Sequence, residues 1–236
     1  MMELDESTQP IPVSDLHALI DEWQSEHSDD NQLRLRRCVS WLENAHGHSQ
    51  TFDFDSSFVF HWISFNSMYA LPNFEEEESS DVTQYKNFLT NIAKLDTRDT
   101  INSILRPMYG GTVNPLLGNK FVYSTYWKND FDDNERKQVD HTWEEFRNRN
   151  VQQITRAISQ GKQSNPTVVL HRIFDLLYSL RNQLFHGSST YFGSLNREQV
   201  QTGAVILGKL IPCFVEIILT HPEVEWGTPP FPPHNQ

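Results

Sequence analysis

The sequence contains only two cysteines, Cys38 and Cys213, which lie far apart in a chain of 236 residues. Two distant cysteines make neither the disulfide framework of a small secreted protein nor the ligand set of a zinc site. The first residues are acidic and lack the basic and apolar regions of a secretory signal peptide. We therefore expect a reduced, cytoplasmic protein.

Long apolar runs are also missing. No uninterrupted apolar stretch approaches the roughly 20 residues that a membrane-spanning helix needs, so we expect no membrane association. Hydrophobic residues make up 37% of the chain and the mean hydropathy is −0.56, which is typical of a polar globular protein. A chain of this length can bury its own core, and we expect a single domain over 1–236.

Positive charge is scarce. Lys and Arg number 19 against 31 Asp and Glu, which gives a formal net charge of −12. A protein that held nucleic acid tightly and without sequence preference would usually carry the opposite sign. The balance still allows an enzyme that contacts RNA briefly or through a local basic cleft, and it also allows a basic protein partner.

The motifs of several enzyme classes are absent. The sequence has no glycine-rich phosphate-binding loop, nucleotide-transferase Gly-Ser signature, zinc ligand set or Ser-His-Asp order. His46 and His48 have no nearby cysteine or matched acidic pair, and a surface loop explains them better than a metal does. We expect neither a metal nor a cofactor.

Helical hydrophobic spacing is present along nearly the whole chain, without a convincing strand, and it predicts an all-α helical bundle. Helices are expected over about 13–106 and again over about 132–220. A long aromatic-rich loop should connect them at 107–130, and a proline-rich tail should follow at 226–236.

Two local features of this bundle carry further expectations. A loop from Gly47 to Asp55 should precede a helix over 58–70 that is apolar almost all round and therefore buried. In the last helix, Glu216 lies beside an apolar stripe and needs a partner. An arginine of the bundle or of a second subunit would serve.

The segment with the most chemistry is the helix that Asn165 and Pro166 open and Gly187 closes. Near its end, four residues separate Arg181 from His186. Arginine is always charged and donates in a fork to phosphate oxygens, while histidine can take or give a proton near neutral pH. Together they supply the minimum chemistry for cleaving a phosphodiester without a metal.

Arg136 and His141 have the same spacing but a different context. Their helix is dense with charge, and Asp140, Glu144 and Glu145 are neighbours. A solvated face explains this second pair without any chemistry.

On a helical wheel, the helix that carries Arg181 has an apolar side and an opposite polar stripe. The stripe consists of residues spaced four, three and four apart: Asp175, Ser179, Asn182 and His186. An aromatic edge lies between the two sides: Phe174, Tyr178 and Phe185. Arg181 lies at the border of the apolar side, about 140° from His186. The two could reach one phosphate if the last turn unwinds before Gly187, or if two copies of the helix pack together.

This arrangement resembles the Arg-x4-6-His signature of HEPN domains, and the layout from Asn165 through the last helix is similar to that of the family. The aromatic helix over 58–70 is similar to one arrangement of the large, Apea-like HEPN type. The resemblance implies a helical bundle that dimerises through this region. It also implies a metal-independent endoribonuclease, in which the RNA 2′-hydroxyl attacks the adjacent phosphorus and leaves a cyclic phosphate. The catalytic residues would be Arg181, Asn182 and His186, and the expected substrate-binding residues are Tyr178, Ser179 and Phe185.

The resemblance further implies bacterial toxin–antitoxin systems or antiviral defence as the setting. The expected partners are an RNA substrate, a second copy of the chain, and an antitoxin or another regulatory protein. Two alternatives stay open. A catalytically inactive HEPN module would bind a nucleotide, RNA or a protein through the same cleft. A helical scaffold would have no cleft, and its Arg181 and His186 would only pack along and cap their helix.

Overall fold

The computed structural model describes residues 11–72, 80–123, 133–159, 166–194 and 196–231, and in the third range it describes the side chains of 142–157. Every regular element in these residues is helical and none is a strand, which confirms the all-α prediction. Short 3₁₀ turns flank the first helix. The α-helices, in chain order, are α1 (Leu16–Trp23), α2 (Asp29–Gln50), α3 (Phe54–Tyr69), α4 (Asp81–Leu95), α5 (Thr100–Met108), α6 (Asn114–Leu117), α7 (Asp133–Ser159), α8 (Thr167–Phe185) and α9 (Arg197–Leu219).

Helices α2 and α3 form a hairpin that carries much of the core. The expectation of a buried helix over 58–70 is confirmed, because Phe58, Trp62 and Phe65 of α3 are fully buried. Side chains at three N-caps accept a hydrogen bond from the backbone N–H three residues further on, as helix starts require: Ser28, Asp53 and Ser80.

The loop expected from Gly47 to Asp55 is shorter than the sequence indicated. Helix α2 continues through Gly47 to Gln50, and α3 already begins at Phe54. The tertiary structure stabilises this extra turn, since the Ser49 and Ser57 hydroxyls share a hydrogen bond of 2.6 Å between the two helices. The glycine therefore lies inside a helix.

Helix α9 lies in the centre of the fold and continues through Pro212. Among the described residues it is the one helix long and apolar enough to cross a membrane, but 83% of its apolar window is buried inside the protein. The sequence contains no such uninterrupted apolar run, because Lys209 and Glu216 divide it. A buried core helix meets the same criterion of length and composition.

Helix α8 approaches α3 and α9 closely at Gly203 of α9. A Cβ atom at Gly203 would lie 2.6 Å from Phe58 Cε2 and 3.0 Å from Leu177 Cδ2, so a side chain has no room there. The apolar side of α8 is buried as its spacing predicted, with Ile173 and Leu177 fully covered. This contact leaves the polar stripe of α8 facing away from α9.

The segment expected as one loop at 107–130 is built largely from short helical turns in its described part. A π-helical turn spans Tyr109–Val113, α6 follows directly, and a 3₁₀ turn spans Lys120–Val122. Apolar side chains of these turns join the core: Val113, Leu116, Leu117 and Val122. Residues 124–130 lie outside the described residues.

The described part of the proline-rich tail lies against α2, where two arginines hold it. Arg34 is 1% exposed and donates to the backbone carbonyls of Ser67, Met68 and Gly227. Arg37 donates to the carbonyls of Pro230 and Phe231. Burial lowers the pKa of Arg34 to about 10. Arg34 and Arg37 thus use their donors on protein carbonyls rather than on phosphate oxygens.

Candidate functional site

Arg181 is half-buried on α8, and its surroundings are aromatic. Its guanidinium carbon lies 4.7 Å from the ring centroid of Phe185 and 5.8 Å from that of Tyr178. One N–H, on Nη1, donates to Asn182 Oδ1 at 2.9 Å, while the buried Nε finds no acceptor among the described residues. Among the described residues, Arg181 takes part in no ion pair. The site therefore contains a positive charge that no described carboxylate neutralises.

His186 is the C-cap of α8 and is exposed. Gly187 follows in the left-handed region, at φ +68°. The Gly187 N–H donates to the Leu184 carbonyl, and the Ser188 N–H donates to the Gln183 carbonyl. This is a Schellman motif, in which a glycine ends the helix and satisfies its last carbonyls. The sequence prediction that Gly187 closes the helix is confirmed.

The last turn of α8 is regular, which decides how Arg181 and His186 relate. The His186 backbone N–H donates to the Asn182 carbonyl at 3.0 Å, as in an ordinary α-helix. The unwinding that would have brought the two side chains together in one copy does not occur. The arginine and the histidine therefore leave α8 on different sides, and a common phosphate would require a second copy.

A cleft of about 420 Å³ opens beside the polar stripe of α8. That volume lies within the range of roughly 300–1,000 Å³ that small-molecule sites occupy. Its walls combine four aromatic, three aliphatic and three polar side chains: Val82, Tyr85, Val122, Tyr123, Phe146, Asp175, Leu176, Tyr178, Ser179 and Asn182. Tyr123 stacks on Phe146 with ring centroids 4.5 Å apart. The long segment before α7 thus contributes a wall of the cleft.

Asp175 is the acidic group of this cleft. Its Oδ1 accepts from the Tyr85 hydroxyl at 2.8 Å and forms an ion pair with Lys86 Nζ at 2.7 Å. Burial, followed by the charge of Asp175, raises the pKa of Tyr85 well above its usual value, so this hydroxyl remains a donor. Ser179 Oγ donates back to the Asp175 carbonyl at 3.3 Å and is tied to its own helix.

Gln183 attaches the end of α8 to neighbouring segments on a side away from the cleft. Its Nε2 donates to the Phe121 carbonyl at 2.5 Å, and its Oε1 accepts from Asn196 Nδ2 at 2.6 Å. Asn196 Oδ1 in turn accepts from Asn119 Nδ2 at 3.1 Å. These bonds hold the last turn of α8 between the connecting segment and the start of α9.

The predicted site residues therefore divide into three places. Tyr178, Ser179 and Asn182 lie together in the cleft wall. Arg181 is next to the cleft and is joined to it through Asn182, with the half-exposed ring of Phe185 against its guanidinium. His186 lies beyond the helix end, apart from the others.

Sequence reasoning missed two aromatic residues of the cleft, Tyr85 and Phe146, and also Lys86, which forms an ion pair with Asp175. They lie on two other helices, α4 and α7, and no local pattern connects them with Asp175. Tyr123 carried a weak signal, because an aromatic-rich connecting segment suggests packing or function.

The other candidates have ordinary partners. His48 Nδ1 hydrogen-bonds Asp53 Oδ2 at 3.0 Å, and His46 Nε2 contacts Gln50 Nε2. Nowhere in the described parts of the chain do three or more His, Cys, Asp or Glu side chains group as metal ligands. The side chains of Arg136 and His141 lie outside the described residues.

In comparisons with known proteins, no protein-family model matches the chain, and neither a curated protein nor a solved structure matches it.

Proposed function

We propose that this protein is a HEPN-like, metal-independent endoribonuclease that acts as a homodimer, with Arg181, Asn182 and His186 as its catalytic residues. The environment of Arg181 carries the proposal. In a chain of net charge −12, this half-buried guanidinium has aromatic neighbours, no described carboxylate, and one amide oxygen as its acceptor. An RNA phosphate would supply the missing negative charge and acceptors, since arginine donates in pairs to phosphate oxygens.

The chemistry follows from the donors and acids that the site contains. The RNA 2′-oxygen bonds to the adjacent phosphorus and the bond from phosphorus to the 5′-oxygen breaks, which leaves a 2′,3′-cyclic phosphate and a 5′-hydroxyl. One proton leaves the 2′-hydroxyl and one must reach the 5′-oxygen. His186 serves as the base or the acid for one of these transfers. Arg181 stabilises the charge that accumulates on the phosphoryl oxygens, and Asn182 holds Arg181 in place.

A second copy is part of the proposal because Arg181 and His186 leave α8 on different sides. Two α8 helices that meet at their C-terminal ends would place the histidine of one copy opposite the arginine of the other. Phe185 is 44% exposed beside Arg181 and supplies apolar surface for such a contact. His186 itself is exposed and receives no side-chain hydrogen bond from the described residues, so it is available to a substrate held between two copies.

A catalytically inactive module is the second candidate, and one observation favours it. The cleft is complete in a single copy, with Tyr178, Asn182 and Asp175 in its walls. A nucleotide could therefore bind without a dimer and without His186. In that case the bacterial defence or toxin–antitoxin setting would involve recognition and not cleavage.

The test uses purified full-length protein and mixed cellular RNA in excess chelator. We expect the wild type to produce fragments that end in a cyclic phosphate. The variants His186→Ala and Arg181→Ala should lose about 10²- to 10⁴-fold in rate and remain dimers by light scattering. Arg172→Ala is the matched control, because Arg172 lies on the same helix and, among the described residues, hydrogen-bonds only Gln153 at the surface.

Equal cleavage by wild type and His186→Ala would overturn the mechanism, and no cleavage by any form would favour the inactive module. Expression in bacteria provides an independent readout. The wild type should slow growth, and His186→Ala should relieve this toxicity at the same protein level.

A further inference from the structure

The cleft beside α8 contains a donor and an acceptor that no described residue uses. Asp175 Oδ1 accepts from Tyr85 and Lys86, whereas Oδ2 receives no hydrogen bond from the described residues. Asn182 Oδ1 accepts from Arg181, and since arginine can only donate, this bond fixes the orientation of the amide. The Asn182 Nδ2 group therefore points its hydrogens elsewhere, and no described residue accepts them.

These two groups lie along one line of the cleft. Asp175 and Asn182 are seven residues apart on α8, which is two turns of the helix, about 10.5 Å along its axis and within about 20° around it. An acceptor at one end and a donor at the other, both beside aromatic walls, match the edge of a flat heterocycle. Such a ring would carry an exocyclic amino group at one end of its edge and an exocyclic carbonyl at the other.

We propose that this cleft binds an unpaired guanine or cytosine, with Asp175 Oδ2 accepting from the exocyclic amino group and Asn182 Nδ2 donating to the exocyclic carbonyl. Both bases carry the two groups at opposite ends of the pairing edge. Uracil presents carbonyls at both ends, so one of them would face the carboxylate. Adenine has an amino group but only a C–H at the other end, which leaves the Asn182 donor without an acceptor.

The aromatic walls and Arg181 complete the binding site. Tyr123, Phe146 and Tyr178 offer ring faces or edges to any base, and such stacking is tolerant of sequence. The preference between bases therefore comes from Asp175 and Asn182. Arg181 hydrogen-bonds Asn182, so the phosphate of the bound nucleotide would lie at the arginine, next to the cleft. This inference rests on the proposed ribonuclease function for the role of Arg181 and supplies its base preference.

The experiment measures the binding of the four nucleoside 3′-monophosphates to the full chain by titration calorimetry. We expect the guanosine and cytidine forms to bind at least tenfold tighter than the adenosine and uridine forms. Asp175→Asn should bring the uridine form within about threefold of the guanosine and cytidine forms, because an amide at this position can donate to a carbonyl. Arg181→Ala should weaken the binding of all four, because it removes the phosphate contact, and should also narrow the differences between them, because the Asn182 amide loses the bond that orients it.

Asp81→Asn is the matched control for Asp175→Asn. Asp81 also accepts from a tyrosine hydroxyl, that of Tyr69 at 2.6 Å, but it does not line the cleft. This variant should keep the wild-type order of affinities. Thermal unfolding of each variant shows that it is folded before it is titrated. Asn182→Asp is a second variant: it keeps an acceptor for Arg181 but loses the donor, and should lower the affinity for guanosine and cytidine forms most.

Equal affinity for the four nucleotides, a preference for adenosine or uridine forms, or no binding at all would overturn the inference. The relative affinity of guanosine and cytidine forms tells which of the two bases is the better ligand. Base preference without RNA cleavage would support the inference and overturn the ribonuclease proposal. Cleavage at all four bases alike would support the ribonuclease and overturn the base preference.

Discussion

Arg98, in the turn between α4 and α5, forms an ion pair with Glu216 in the buried last turn of α9. The Glu216 side chain is 8% exposed and the Arg98 side chain is 43% exposed. A carboxylate in such an apolar position requires a partner. The sequence predicted that Glu216 needs a partner, an arginine either of the bundle or of a second subunit. In the structure that arginine belongs to the same chain. The pair connects the α4–α5 turn to the central helix.

The first prediction concerns this pair. Arg98→Ala should lower the free energy of unfolding by about 1–3 kcal/mol, because it leaves a buried carboxylate without its partner. Adding Glu216→Gln to that variant should recover much of the loss, since the charge is then removed. Urea unfolding of the two single variants and the double variant measures the coupling. Losses that simply add would show that the two side chains do not act as a pair.

The second prediction compares two helical glycines. Gly203→Ala should lower the free energy of unfolding by about 1–3 kcal/mol, because its Cβ would collide with Phe58 and Leu177. Gly47→Ala should raise it by about 0.5–1 kcal/mol, because Gly47 lies within α2 and a Cβ there meets nothing within 4 Å. Thermal or urea unfolding checks both. The opposite sign at Gly203 would contradict the close packing of α8 against α9.

The third prediction is a pH dependence of stability from His61. Burial lowers the pKa of His61 from 6.5 to about 4 in the folded protein. Between these values the unfolded chain binds the proton and the folded chain does not. The contribution of His61 is therefore complete above pH 6.5 and is lost as the pH falls towards 4, by up to about 1.4 kcal/mol per pH unit.

Urea unfolding between pH 7 and pH 4 tests this dependence. His61→Gln should show a smaller decline with falling pH than the wild type. His17→Gln is the control, because the His17 side chain is 41% exposed, and it should decline like the wild type. An unchanged slope in His61→Gln would show that other groups cause the pH dependence.

The fourth prediction concerns the segment that Arg34 holds. Arg34→Met should lower the free energy of unfolding by about 2–4 kcal/mol, because it leaves buried carbonyls of α3 and of Gly227 without donors. It should also let a protease remove the residues after Trp226 faster. Arg36→Met is the control, because the exposed Arg36–Asp21 pair contributes at most about 1 kcal/mol. Similar losses in both variants would contradict a specific role for Arg34.

Local sequence patterns were reliable where a single helix carried the information. The apolar spacing of Ile173 and Leu177 predicted the buried side of α8, and Gly187 predicted its end. Local sequence patterns failed where tertiary contacts made a helix longer or a loop shorter than expected. Gly47 was predicted to begin a loop, but the contact between Ser49 and Ser57 keeps α2 helical to Gln50.

The polar stripe of α8 shows the same division within the candidate site. Its spacing placed Asp175, Ser179 and Asn182 on one face, and all three line the cleft. The opposite wall could not be predicted, because Tyr85 and Phe146 lie on two other helices, α4 and α7. Their contribution depends on how α4 and α7 pack against α8.

By itself, the sequence determined the all-α class, the motif helix and its end, and the need of Glu216 for a partner. These follow from periodicity, from glycine at a helix end and from the cost of burying a charge, all of which act locally. Only the tertiary structure decided which arginine meets Glu216, that Arg34 and Arg37 bind carbonyls, and that a cleft opens beside Asn182. Those outcomes depend on contacts between residues far apart in the chain, which no local pattern encodes.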